Sequence, residues 1–403
     1  MSVLGDPHLA FPVIHVTGTN GKGSVARMLT RILMAAGLSV GTYTSPHLLE
    51  VNERISRDLE PISDEELAGA LSLVLDTEPL WPHDPSWFEL VTATAFDWFA
   101  SVAVDVAVVE VGLLGRWDAT NVVESTVSVI TNIGADHTDG EPGWELAVLG
   151  EKAGIVKAGT DVVVGPLAPE LREVIAAENP GRMFVEGVDY GVLDLVLSVG
   201  GHVADLTTPY GPHLGLQVPV HGPEQVTNAA IAVMAAEAFF DRPLADDLLA
   251  QAFDGLTLPG RVQVLNHQPL VILDGAHNVP AAEALAATIN SEFHPLGSRV
   301  LVVGVLAGRR PSELLAALAG ARFDAVICTT PPSPRGMPAA ELADAARSAG
   351  LDPVVVDDPE RAVAGALRHA GDDDMVVVAG SFYLVPAAIA AVVAAFAGTP
   401  RDL

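Results

Sequence analysis

The stretch Val13-Ile14-His15-Val16-Thr17-Gly18-Thr19-Asn20-Gly21-Lys22-Gly23-Ser24, running on into Val25-Ala26-Arg27-Met28-Leu29, narrows the choice of fold more than any other part of this chain. A β-branched run that breaks into glycines, then a Lys-Gly-Ser, then an apolar-periodic segment predicts strand, tight loop and helix start. Gly18, Gly21 and Gly23 let the backbone curl until several N–H groups aim at one anion, and the helix adds its own unpaired N–H groups and positive end. Lys22 supplies a mobile cation for outer phosphates, and Ser24 a hydroxyl for phosphate or Mg²⁺. The spacing departs from the common phosphate loop: Thr19 and Asn20 alone separate Gly18 from Gly21, and Gly23 stands between Lys22 and Ser24. The competing reading is a glycine turn with no ligand. A buried strand ahead of the loop and a lysine inside it favour phosphate.

The 403 residues are too many for one ordinary domain, so two are expected. Half the residues are apolar and only 5% aromatic, which predicts aliphatic, alanine-packed cores. Segment 385–397 is apolar but too short for a membrane span and reads as a closing core helix. The start of the chain has neither a basic head nor an apolar body, so no secretory signal is read there. Cys328, the single cysteine, lies in a strand-like run, which excludes a disulfide framework and fits a reducing cytoplasm. With 51 acidic against 21 basic residues the formal charge is −30, which argues against a nucleic-acid partner and for solubility, as in proteins of salt-rich habitats. Scarce cations should then gather where anions bind. Lys22, Arg54, Arg116, Lys152, Lys157 and Arg261 all lie in or beside glycine turns or motifs.

Along the chain, 27–36 reads as a helix and 38–43 as a second strand ending in Thr44-Ser45-Pro46-His47. In a doubly wound sheet that end faces the phosphate loop, although Ser45 is equally suited to a plain turn or cap. Segment 104–112 is a buried strand with Glu110 at its end. A buried carboxylate needs a partner, either a metal at the phosphates or a cation such as Arg116. The strand 126–132 delivers Asp136 and His137 to the same edge, where a neutral imidazole is a usable metal ligand. Lys152 and Lys157 read as helix-end charges. From 184 to 220 short alternating runs predict a small β insertion, 222–230 opens an alanine-rich helix, and Leu258-Pro259-Gly260-Arg261 reads as a hinge. Beyond it, strands near 270, 299, 325, 353 and 375 alternate with helices whose starts are mostly marked by proline. That predicts a second α/β domain with a parallel sheet, whose first strand ends in Asp274-Gly275-Ala276-His277-Asn278.

Eleven runs in one order resemble the folylpolyglutamate synthase/dihydrofolate synthase family, relatives of the Mur peptide ligases. They include the phosphate loop, Tyr43-Thr44-Ser45-Pro46-His47, Asn52-Glu53-Arg54-Ile55, Glu110-Val111-Gly112-Leu113, Asp118-Ala119-Thr120-Asn121, Thr131-Asn132-Ile133-Gly134, Asp136-His137, Glu151-Lys152-Ala153-Gly154, the hinge, the Asp274 run and Gly380-Ser381-Phe382-Tyr383. Gly23 before Ser24 is what sets the match with the folate branch. The resemblance implies an N-terminal P-loop-type ATPase domain with a mostly parallel sheet (1–258) and a C-terminal Rossmann-like α/β domain (259–403), with the site in the cleft between them. It implies ATP-dependent addition of L-glutamate to dihydropteroate or folates through an acyl phosphate, by a cytoplasmic monomer. The alternative is a Mur-like amide ligase for another carboxylate.

The same resemblance implies roles for single residues. ATP is held by Gly18 to Ser24, Gln225, Asn228, Arg261 and Asp274; two Mg²⁺ ions involve Ser24, Ser45, Glu110 and His137; Lys22, Lys152, Asp274 and His277 are catalytic, with Lys152 carbamylated. Several positions depart from the family's pattern. Residues 1–12 stand where the family has a longer helical segment that shapes the pterin side, Leu114 replaces a loop glycine, and Glu224 replaces a histidine. Glu141-Pro142-Gly143-Trp144 follows His137, and Leu306-Ala307-Gly308-Arg309-Arg310 replaces an acidic turn.

Overall fold

The computed structural model describes residues 1–135 and 142–396. They divide into two compact units, one of Met1–Pro219 with Glu224–Leu256 and the other of Val220–Pro223 with Thr257–Leu403. The first unit is built on strands β1 (Val13–Thr17), β2 (Val40–Tyr43), β3 (Ile55–Arg57), β4 (Glu60–Pro61), β5 (Val106–Glu110), β6 (Ser125–Ile130), β7 (Asp161–Val164) and β8 (Met183–Val185). They form one sheet in the order β4-β3-β2-β5-β1-β6-β7-β8, parallel from β2 to β8, with β3 and β4 antiparallel at the edge. Continuous burial along β1 and β5 explains their mostly aliphatic character, because a parallel strand covered on both faces has no solvent-facing side, and the buried polar exceptions His15, Thr17 and Glu110 need partners. Helix Lys22–Ala35 starts five residues earlier than its periodicity predicts, since its first turn is the phosphate loop itself.

Register decides what this sheet presents. Val16 pairs with Glu110, Tyr43 with Val109, and Thr17 with Ile130, so the carboxyl ends of β1, β2, β5 and β6 finish level with one another. The chain runs from β1 to β2 on one side and later to β6 on the other, making β1 the point where loops diverge and leave a crevice.

The expected β insertion is a three-stranded antiparallel sheet, β9 (Gly191–Ser198), β10 (Gly201–Thr208) and β11 (Gly211–Val218), ordered β11-β10-β9. The run near Phe184 belongs elsewhere: β8 closes the edge of the main parallel sheet.

The second unit contains β12 (Gln263–His267), β13 (Leu270–Leu273), β14 (Arg299–Val303), β15 (Ala325–Cys328), β16 (Pro353–Val355) and β17 (Met375–Ala379). Their order is β12-β13-β17-β14-β15-β16, all parallel except the β12–β13 hairpin. Strand β12 has no predicted counterpart; its Gln-Val-Leu-Asn-His alternation is too short and polar to stand out beside the hinge. Helices Val279–Glu292, Pro311–Ala319 and Pro359–His369 carry proline in their first turn, where the missing N–H is no loss. The apolar faces of the first two, with helix Ala339–Ser348, close an aliphatic core around Ile272, Leu301, Val377 and the buried Cys328. Among the described residues no helix is long and apolar enough to cross a membrane. Both units are α/β with mostly parallel sheets, as the sequence predicts.

Candidate functional site

The loop Gly18 to Ser24 is shaped by its neighbours as much as by its glycines. Thr19 N–H donates to the Asn132 carbonyl at 3.1 Å, Asn20 N–H to Asn132 Oδ1 at 2.9 Å, and Gly134 N–H to Thr19 Oγ1 at 2.9 Å. The Thr131 hydroxyl donates to the Asn20 carbonyl at 2.5 Å. The segment after β6 therefore clamps the outer side of the loop. A methyl group on Gly18 (φ 150°) would lie 1.8 Å from Thr131 Oγ1, and one on Gly21 (φ 82°) 2.5 Å from Asn228 Oδ1, so neither position admits a side chain. Gly21 is the helix N-cap and brings no capping side chain, which leaves the positive end of helix Lys22–Ala35 open to an anion. Lys22 Nζ folds back to donate to the carbonyls of Gly18 and Thr19 at 3.0 and 3.2 Å.

Glu110 is buried at the end of β5 and accepts the Ser45 N–H at 3.0 Å. A methyl group on Gly23 would stand 3.5 Å from Glu110 Oε2, so the loop, β2 and β5 bring Ser45, Glu110 and the first helical turn to one place. Ser24 Oγ, next along, is buried without a hydrogen-bond partner among the described residues. An oxygen-only set of one carboxylate and hydroxyls beside a phosphate cradle suits a hard divalent cation of the Mg²⁺ type, which completes its shell with phosphate oxygens and water. Among the described residues no group of three or more His, Cys, Asp and Glu side chains is placed to hold a metal. His137, the remaining expected ligand, lies outside the described residues.

Arg116 does not serve as the alternative partner of Glu110. Its guanidinium pairs with Glu178 and donates to the Gly150 carbonyl at 3.0 Å. Lys157 likewise donates to Asn121 O and Oδ1, at 3.2 and 3.1 Å, and burial pulls its pKa down. Both cations brace the 112–121 loop against the end of helix Trp144–Ala153. Lys152 sits in the last turn of that helix and is buried, with 4% of its surface exposed, rather than standing as a solvent-facing helix-end charge. Asp118 organises the loop: it takes Leu113 N–H at 2.9 Å, Thr120 N–H at 3.0 Å and the Thr120 hydroxyl at 2.6 Å. Leu114 adopts φ 59°, the conformation a glycine would favour, and its carbonyl accepts the Thr17 hydroxyl at 2.5 Å. Arg54 donates to His47 Nδ1 at 2.9 Å and stacks over Trp87; burial first and Arg54 second keep His47 below the usual imidazole range.

Asn228, near the start of helix Pro223–Phe240, lies against Gly21 as noted and donates to Gln225 Oε1 at 3.1 Å, so the expected nucleotide pair is one hydrogen-bonded unit beside the loop. The sequence reading assigned no role to Thr131, Asn132 or Asp118, although the runs containing them were singled out. Thr131 and Asn132 are marked by partners distant in the chain, which spacing does not reveal, and Asp118 by bonds within its own loop that depend on the loop's conformation.

In the second unit Asp274 directly follows β13 and is buried. Its two oxygens accept Val262 N–H at 2.8 Å and Ala276 N–H at 2.7 Å, and burial raises its pKa against the opposing pull of Arg261. His277 Nδ1 is 2.9 Å from the Gly275 carbonyl, an acceptor, so that nitrogen carries a proton and the ring is tied to its own turn. Arg261 lies 4.2 Å over the Phe382 ring, against which Gly275 packs so closely that a methyl group there would be 2.2 Å from a ring carbon. Phe382 thus sits beneath both hinge and turn.

Residues 260–382 match the family "Mur ligase, glutamate ligase domain". The chain is 38% identical to the dihydrofolate synthase/folylpolyglutamate synthase of Mycobacterium tuberculosis over 370 residues, 86% of this chain and 76% of that one. The solved folylpolyglutamate synthase of Mycobacterium tuberculosis complexed with ADP superposes with a TM-score of 0.90 at 35% identity, covering 100% of this chain and 94% of the other. A bifunctional folylpolyglutamate synthase/dihydrofolate synthase with Mn, AMPPNP and L-glutamate bound gives 0.86 at 34% identity, covering 97% and 92%.

Proposed function

The chain belongs to the folylpolyglutamate synthase/dihydrofolate synthase family of the Mur ligase superfamily, and from that premise we propose that it is an ATP-dependent ligase joining L-glutamate to dihydropteroate, folates or both. In the first step a carboxylate oxygen of the acceptor attacks the γ-phosphorus of ATP and ADP leaves. In the second the glutamate amine attacks the acyl carbon, phosphate departs with the C–O electron pair, and the amine proton passes to a base. The observation that carries this reading is Ser24 Oγ, buried without a partner among the described residues at an uncapped helix start beside Glu110.

The loop N–H groups and Lys22 bind and orient the phosphates, with Lys22 exchanging two backbone carbonyls for phosphate oxygens. Glu110, Ser24, Ser45 and His137 would hold Mg²⁺, two ions in all, which supplies charge neutralisation at the transferring phosphoryl group. Gln225, Asn228 and Arg261 contact the nucleotide. Asp274, with both oxygens engaged by backbone, positions the turn that carries His277, which takes part in the ligation step. Lys152, buried in the last turn of its helix, is the lysine assigned to carbamylation; a carbamate signal from isotope-labelled bicarbonate would establish it. The protein acts as a cytoplasmic monomer, a state that light scattering reads directly. A substrate panel tests the central reading: ADP release that requires glutamate together with dihydropteroate or tetrahydrofolate supports it, and indifference to both acceptors rejects it.

A further inference from the structure

The edge of the second sheet opposite the one carrying Asp274 and His277 holds a polar cavity of about 510 Å³, lined by Asn290, Gly297, Arg299, Gly320, Arg322 and Asp324. Parallel strands place it there: Arg299 opens β14 and Asp324 immediately precedes β15, so these are amino ends, whereas Asp274 and His277 follow the carboxyl end of β13. It is open to solvent, with every lining residue except the half-buried Arg299 exposed.

Its charge is unusual for this chain. Arg299 is held rigidly, Nη1 donating to Asn290 Oδ1 and to the Ala321 carbonyl, both at 2.7 Å, and Nη2 to the Phe293 carbonyl at 3.3 Å. Each of these acceptors is neutral. Asn290 is fixed in turn by donating to the Gly320 carbonyl at 2.9 Å. The lining carboxylate, Asp324, uses Oδ2 to accept the backbone N–H of Arg299 at 2.8 Å and forms no ion pair with either guanidinium. The Arg322 guanidinium makes no hydrogen bond or ion pair among the described residues. Arg322 also stands at φ 56°, just after helix Pro311–Ala319, where a glycine would be relaxed. A chain of charge −30 has a surplus of carboxylates to neutralise its arginines, yet these two guanidiniums form no ion pair among the described residues, although Asp324 lines the same cavity and Asp374 packs against Gly297 at its rim.

The geometry points to a binding site in this cavity for a small oxyanion ligand, bearing carboxylate or phosphate groups, separate from the phosphate loop. Arg299 is the preorganised anchor and Arg322 the solvent-side clasp, each offering the planar fork that both oxyanions accept. The test uses the full chain saturated with ADP and Mg²⁺, so that the phosphate loop is occupied, and titrates it calorimetrically at low salt with inorganic phosphate and, separately, with glutarate. Saturable one-to-one binding is expected from at least one of them, weakened about tenfold or more in Arg322→Gly. That variant also relieves the positive φ, so an unchanged or higher unfolding midpoint shows that the loss is not misfolding. Binding of phosphate alone or glutarate alone identifies the ligand's charged group, and binding of both assigns a general oxyanion site. No binding of either, or binding unchanged in Arg322→Gly, overturns the proposal.

Discussion

Ser24 Oγ is buried with no hydrogen-bond partner among the described residues, and an unsatisfied hydroxyl costs about 1–3 kcal/mol unless something outside the chain completes it. Removing it should therefore leave the free protein intact. Ser24→Ala is expected to keep or slightly raise the unfolding midpoint while weakening Mn²⁺ binding in the presence of AMPPNP; a clear loss of stability without change in metal affinity would assign the hydroxyl a purely structural place. Lys22 offers the complementary case. Its two bonds to loop carbonyls are part-exposed and contribute little, so Lys22→Ala should fold normally and lose ATP turnover by about a hundredfold or more, read by ADP release. Near-normal turnover would remove the loop from the mechanism.

At the scale of elements, the phosphate loop is rigid because the end of β6 holds it. Asn132→Ala deletes the acceptor for Asn20 N–H, a loss of about 1 kcal/mol, and should raise the KM for ATP more than it lowers kcat. A second clamp joins β11 to helices Pro223–Phe240 and Asp246–Phe253. His213 Nε2 meets Glu237 Oε1 at 3.0 Å, and Nδ1 meets Asp246 Oδ1 at 2.9 Å. Both ring nitrogens face carboxylates, which favours the doubly protonated cation. The bond to Glu237 foremost raises its pKa above the ordinary 6.5. A raised folded pKa means the stabilisation is complete below the unfolded value and is lost as pH climbs through the folded one. The unfolding midpoint should fall as pH rises past 6.5 into that raised range, and His213→Gln should flatten the slope. An equally steep profile in the variant would place the titration elsewhere.

Across the whole molecule, 51 carboxylates against 21 cations set up a self-repulsion that salt screens, so the unfolding midpoint should rise between low salt and about 1 M NaCl; a fall would show that ion pairs outweigh the repulsion. Much of the architecture was legible without coordinates. Unbroken apolar runs such as Val106-Ala107-Val108-Val109 mark parallel strands buried on both faces, and prolines at helix starts separate the repeats of the second unit. Strand β12 escaped because a short polar alternation resembles a loop, and β8 because an edge strand differs little from the insertion beside it. The chain's local chemistry alone determined which segments are strands, where the phosphate loop lies and which family it resembles, since periodicity and glycine placement act over a few neighbouring residues. Tertiary structure alone decided that Glu110 meets Ser45 while Arg116 turns to Glu178, that Asn132 and Asn228 enclose the loop, and that Lys152 is buried. Those outcomes depend on sheet order and register, which bring together side chains separated by tens to hundreds of residues, and no local pattern encodes that meeting.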